Sequence, residues 1–131
     1  MREYYSMNEN LNCVDHGEVS IEEAYNLIDK YIVGQEELKG IKDGEYVMSK
    51  SMFGFNVDKN TFIQIFIYNK EEFGIEFEMI IPKKTLFIKL DNVYQEEITI
   101  YNKEELKEIT KNFFENEPEK FKNYFESLIK K

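Results

Sequence analysis

Cys13, Asp15 and His16 lie close together near the start of the chain. A thiol beside an imidazole and a carboxylate is the set from which a thiolate nucleophile is made. Partners in such sites usually converge from separate elements, whereas these three share one irregular stretch, so they carry no catalytic assignment here. Metal chemistry is as poorly supplied. With one cysteine and one histidine, only an oxygen-ligated cation such as calcium or magnesium would fit. Asp58, Asn60, Asp91 and Asn92 read first as turn residues, and no EF-hand loop is present. Glu71-Glu72, Glu76 with Glu78, and Glu96-Glu97 could supply paired carboxylates for acid–base work. Neighbouring residues on a strand point to opposite faces, however, so the doublets form no pair by themselves. Phosphate-cradling glycine loops and the nucleophile elbow are missing from the sequence. The expectation is a chain with no catalytic residues, no metal and no cofactor, which acts by binding rather than as an enzyme.

The charge shows what such a chain could bind. Its 131 residues carry 26 acidic and 17 basic side chains, a net charge of -9. An acidic surface repels nucleic-acid phosphates, so direct nucleic-acid binding is excluded and a basic partner is favoured. The excess is uneven: the balance is -6 over residues 1–44, -3 over 45–101 and zero over 102–131. A basic partner would therefore meet the N-terminal third and the strands, leaving the C-terminal segment to cover the core. No apolar run is long enough for a signal-peptide core or a membrane span, which makes the cytoplasm the expected compartment.

The elements follow from hydrophobic periodicity. Residues 1–19 are polar and read as an arm or a short edge strand. Ser20 with Glu23 forms a capping box, and Ile21, Ala24, Tyr25, Ile28, Tyr31 and Ile32 continue at helical spacing until Gly34, a candidate left-handed cap. Residues 35–44 hold Gly40 and an Asp43-Gly44 turn signal. The period then changes to two. Short strands are expected over Tyr46–Met48, Phe53–Val57, Phe62–Tyr68, Phe73–Ile81, Leu86–Leu90 and Val93–Tyr101, joined by short turns and therefore antiparallel. Asn102 with Glu105 opens a helix bearing Leu106, Ile109, Thr110 and Phe113. Pro118 opens another, bearing Phe121, Tyr124, Phe125, Leu128 and Ile129. The fold class is α+β: one domain over 1–131, built on a meander of about five strands with one N-terminal and two C-terminal helices.

Register decides what the sheet shows. If residues 69–72 form a four-residue turn, Tyr68 pairs with Phe73. Phe62, Phe66, Phe73, Ile75, Phe77 and Met79 then share the main core with Leu86 and Ile88. The second face carries Ile63, Ile65, Ile67, Ile80 and Phe87 beside Glu76 and Glu78. A turn at Pro82–Thr85 would set Glu78 opposite Lys89 as a cross-strand ion pair. That second face is either covered by one of the chain's own helices or serves as a partner surface with an apolar centre and an acidic rim.

In size, acidity, lack of a catalytic motif and α+β pattern, the chain resembles the small cytoplasmic immunity proteins of bacterial toxin systems. The resemblance implies an inhibitor that occludes the basic active-site cleft of a cognate toxin. From the residues themselves, the interface expected is Glu71, Glu72, Glu76, Glu78, Glu96 and Glu97, with Tyr94 as an aromatic anchor. An acidic mimic of nucleic acid, such as a phage-encoded nuclease inhibitor, is the alternative, beside a small-ligand module and a self-pairing subunit. The oligomeric state expected is monomer or homodimer.

Overall fold

The computed structural model describes residues 1–7, 12–37, 52–69, 71–81 and 92–130. The strands expected at Tyr46–Met48 and Leu86–Leu90, the Asp43-Gly44 and Pro82–Thr85 turns, and Phe87 and Lys89 lie outside the described residues. Six strands pair into one antiparallel sheet: β1 (Arg2–Met7), β2 (Cys13–Val19), β3 (Met52–Asp58), β4 (Thr61–Asn69), β5 (Glu72–Ile81) and β6 (Asn92–Ile100), in the spatial order β2-β1-β3-β4-β5-β6. Among the described residues three helices accompany it, α1 (Ile21–Glu37) after β2, then α2 (Lys103–Glu115) and α3 (Pro118–Ile129) after β6. The class is α+β as expected, with one N-terminal and two C-terminal helices.

The first nineteen residues are integral to the sheet. β1 pairs with both β2 and β3, so it is an inner strand. Polar composition concealed this because β2 is an edge whose side chains are mostly exposed. Helix starts follow the capping chemistry. Ser20 Oγ accepts the Glu23 N–H at 3.1 Å, while Glu23 Oε1 accepts the Ser20 N–H at 3.2 Å. Asn102 Oδ1 accepts the N–H groups of Glu104 and Glu105. Gly34 does not end α1, which continues to Glu37. A glycine inside a helix costs only about 1 kcal/mol relative to alanine, and packing on one face readily overrides that.

The helices cover one sheet face. Ala24, Ile28 and Ile32 of α1, Leu106, Ile109 and Phe113 of α2, and Phe121 and Phe125 of α3 are buried against Phe53, Phe55, Ile63, Ile65, Ile67, Phe73, Ile75 and Phe77. Phe77 anchors the aromatic centre, with the Phe121 ring 4.8 Å away and the Phe125 ring 5.7 Å away, both edge-on. Ile129, at the end of the expected α3 stripe, is exposed. Polar ties join distant parts of the chain. Arg2 donates to the carbonyls of Phe113 and Asn116 at 3.1 and 2.8 Å, satisfying groups that the C-terminal end of α2 leaves free. Asp29 of α1 holds Lys107 of α2 at 3.0 Å.

The expected register of β4 and β5 is off by one residue. Ile67, not Tyr68, pairs with Phe73, and Asn69 pairs with Glu72 across an irregularity at position 68. The cause is a bulge: the turn, where Asn69 Oδ1 accepts the Glu71 N–H at 2.8 Å, keeps the expected frame, and the extra β4 residue Tyr68 then shifts the rest of the strand by one. Phe62 and Phe66 therefore leave the expected core for the helix-free face, and Ile63, Ile65 and Ile67 take their places. Glu78 is flanked by Phe62 on β4 and Gln95 on β6.

On the helix-free face, Gly54 lets a tyrosine lie flat. The Tyr5 side chain crosses it and donates to the Ile63 carbonyl at 3.1 Å. A Cβ at Gly54 would overlap the Tyr5 ring and that carbonyl. Gly54→Ala should therefore destabilise the fold by about 2–3 kcal/mol in equilibrium urea unfolding, as overpacking against backbone does. A change below about 0.5 kcal/mol, the size of an ordinary surface effect, would contradict the crossing.

Candidate functional site: the helix-free sheet face

Alternation along β5 sends Phe73, Ile75, Phe77 and Met79 under the helices. It turns Glu72, Glu76, Glu78 and Ile80 to the other side. Pairing carries the same division to β6, where Glu97 stands beside Gly74 and Glu76, and Gln95 beside Glu78. Four of the expected interface carboxylates, those of Glu72, Glu76, Glu78 and Glu97, thus share the helix-free face. Phe62, Phe66 and Tyr68 of β4 lie next to them. Glu71 is exposed in the turn at one end of this surface.

The face is built flat. Phe66 and Tyr68 are parallel, with ring centroids 6.2 Å apart. Tyr68 extends over Gly74, where a Cβ would lie 3.1 Å from its hydroxyl oxygen, and the hydroxyl donates to Glu97 Oε1 at 3.5 Å. Burial, then the charge of Glu97, raises the Tyr68 phenol above its ordinary value. Gln95 donates to Glu76 Oε1 at 2.9 Å, fixing that carboxylate without neutralising it. Among the described residues, no ion pair joins Glu72, Glu76, Glu78 or Glu97 to a basic side chain. The surface therefore combines half-buried aromatic rings with carboxylates that no described basic side chain pairs.

Tyr94 and Glu96 do not belong to it. They stand opposite Met79 and Phe77 and point to the helix side. There Tyr94 packs on Phe77 at 5.8 Å, and the Lys122 ammonium of α3 sits 5.1 Å from its ring centre. The seven expected interface residues divide between two faces because period-two alternation separates Glu96 from Glu97. Phe62, Phe66 and Tyr68 were not among them, since a register without the bulge at Tyr68 buried the two phenylalanines.

The thiol, carboxylate and imidazole near the N-terminus also separate. Cys13 pairs with Met7, and Asp15 with Tyr5, on the helix-free side. An irregularity between Tyr4 and Tyr5 leaves His16 as the extra residue on β2. Its ring stacks on Tyr4 at 4.5 Å, and Nε2 lies 2.6 Å from Ser6 Oγ. The Tyr4 and Tyr31 hydroxyls are 2.8 Å apart in the same network. Burial first, then Asp15, pushes the Cys13 thiol up, the opposite of what an activated nucleophile requires. No cluster of three metal-ligating side chains forms among the described residues. In the same set, no helix is long and apolar enough to cross a membrane.

Compared with known proteins, the chain matches no family model, no curated protein and no solved structure.

Tyr94 yields a pH prediction. Burial, followed by the charges of Glu126 and Glu96, pushes its phenol up to about 12. The folded chain therefore keeps this proton when the unfolded chain, titrating near pH 10, has lost it. The associated stability is whole below about pH 10 and is lost as the pH rises towards 12. Tyr94→Phe should lose melting temperature less steeply than the parent over that interval, and parallel slopes would contradict the assignment.

Proposed function

We propose that the protein is an inhibitory binding domain of the immunity type, which acts in the cytoplasm by docking its helix-free sheet face into the basic active-site cleft of a toxin domain. The observation that carries this reading is the gathering of Glu72, Glu76, Glu78 and Glu97 around Phe62, Phe66 and Tyr68 on one face. Apolar rings at the centre supply desolvation, and carboxylates around them supply steering and specificity, which is the division of labour found in protein interfaces. A cleft shaped to hold phosphates presents lysines and arginines, and carboxylates complement them. The aromatic centre favours this over a nucleic-acid mimic, whose charges would run continuously and bind with little apolar contact.

Overall negative charge supports the same reading. It raises the rate of encounter with a cationic partner, and that enhancement declines with salt. The helix side is less suited to the task. Asp29 is already engaged by Lys107 and Lys103, and Glu126 by Lys122.

The test pairs this chain with the toxin domain encoded beside its own gene. Co-expression should restore growth, and calorimetry should give a stable complex. The double variant Glu76→Lys with Glu78→Lys should weaken that complex at least about 100-fold, since each close interfacial charge pair contributes on the order of 1.5 kcal/mol or more. Glu96→Lys, on the helix side, should change affinity less than about threefold, as expected outside the contact. Failure of the neighbouring toxin domain to bind, or equal losses from both substitutions, would overturn the reading.

A further inference from the structure

A second feature of the helix-free face lies across β1–β4, beside the β5 carboxylates Glu76 and Glu78. It is a cleft of about 380 Å³. That volume is in the range of small-ligand sites and exceeds the gaps left by ordinary side-chain packing. Its apolar walls are Met7 and the rings of Tyr5 and Phe62, which meet edge to face at 6.3 Å. Its polar groups are chiefly acceptors. Asn56 Oδ1 is buried and has no hydrogen-bond partner among the described residues. A buried acceptor without a donor costs about 1–3 kcal/mol, so a ligand N–H that meets this oxygen as the Asn56 amide turns toward the cleft removes a penalty as well as adding a bond.

Carboxylates set the sign of the cleft. Asp15 and Asp58 both line it, and each has one oxygen held by a local turn: Asp15 Oδ1 accepts the Gly17 N–H and Asp58 Oδ1 accepts the Asn60 N–H. The second oxygen of each remains for a ligand. Lys59, on the exposed turn after β3, is the one cation among the described lining residues. The Tyr5 hydroxyl is already committed as donor to Ile63, and burial, then Cys13, Glu76 and Glu78, hold it protonated. The Cys13 thiol is likewise kept neutral. Anionic ligands would meet two carboxylates here. A neutral apolar ligand would leave Asn56 unsatisfied.

We propose that this cleft binds a flat guanidinium or amidinium cation with an apolar body, its N–H groups donated to Asn56 and Asp15 and its body lying against the wall formed by Tyr5 and Phe62. A planar cation suits the site better than an ammonium because its several N–H donors lie in one plane and its faces are weakly hydrated, so it can both bridge acceptors and lie on a ring. The site shares Phe62 with the proposed docking face but needs no protein partner, so its test is separate from that of the inhibitory role.

The test is a titration of the ¹⁵N-labelled full chain, followed by amide chemical shifts, with benzamidine as the probe. Saturable shifts should centre on Asn56, Gln64, Asp15 and Phe62, with a Kd of about 1 mM or tighter. Benzamide, the uncharged analogue, and butylammonium, the non-planar cation, should bind at least about tenfold more weakly, a difference of one charge-assisted hydrogen bond. Asn56→Leu should weaken benzamidine binding to the same degree. Asp15→Asn should do likewise while keeping the Gly17 turn, since an amide oxygen also accepts, so it decides the matter if the Asn56 variant fails to fold. A second arm uses the peptide acetyl-Gly-Arg-Gly-amide. Shifts at the same residues would support the site and identify a polypeptide arginine as an accepted source of the cation. Benzamidine binding without peptide binding would support it with a free small molecule as the source. Equal binding of benzamide, shifts centred elsewhere, or full affinity in Asp15→Asn would overturn the proposal.

Discussion

One extra residue on β4, Tyr68, stands between the Ile67–Phe73 and Asn69–Glu72 pairs, and this bulge determines the character of both sheet faces. With Ile67 opposite Phe73, the β-branched run Ile63, Ile65 and Ile67 meets Phe73, Ile75 and Phe77 beneath the helices. Phe62, Phe66 and Tyr68 are then delivered to the same side as Glu72, Glu76 and Glu78. The opposite register would set those phenylalanines against the helices and leave three isoleucines beside the carboxylates. Side-chain period two makes the change all-or-none, because no intermediate pairing satisfies both faces.

Glycine completes what register begins. Gly54 of β3 and Gly74 of β5 lie on the two strands that flank β4, and each is crossed by a tyrosine, Tyr5 and Tyr68 respectively. A side chain at either position would lift the ring from the sheet. With none there, Tyr5 reaches a backbone carbonyl and Tyr68 reaches Glu97. The acidic surface is consequently broad and level rather than ridged. The rest of the molecule supports it from behind: aromatic contacts of Phe77 with α3, the Arg2 tie to the end of α2, and the Asp29 link between α1 and α2 hold the sheet against its helices.

Much of the fold was legible because local chemistry and periodicity agreed with it. Ser20 with Glu23, Asn102 and Pro118 marked three helix starts, and the alternation of β5 identified its two faces correctly. The N-terminal hairpin was not legible, because an edge strand buries few side chains and leaves a polar pattern. The surface was legible in part. Glu72, Glu76, Glu78 and Glu97 share a face, but Tyr94 and Glu96 lie on the other, and the aromatic centre was hidden by a one-residue bulge at Tyr68, which period-two alternation does not announce.

The register of β4 against β5 is therefore the point at which this account is most exposed. Cross-strand nuclear Overhauser contacts in the isotope-labelled protein report it directly. Contacts should join Gln64 with Glu76, Ile65 with Ile75 and Phe62 with Glu78, as the observed pairing requires. Contacts joining Ile65 with Glu76 and Tyr68 with Phe73 would place the phenylalanines beneath the helices and contradict the acidic, aromatic face on which the functional reading rests.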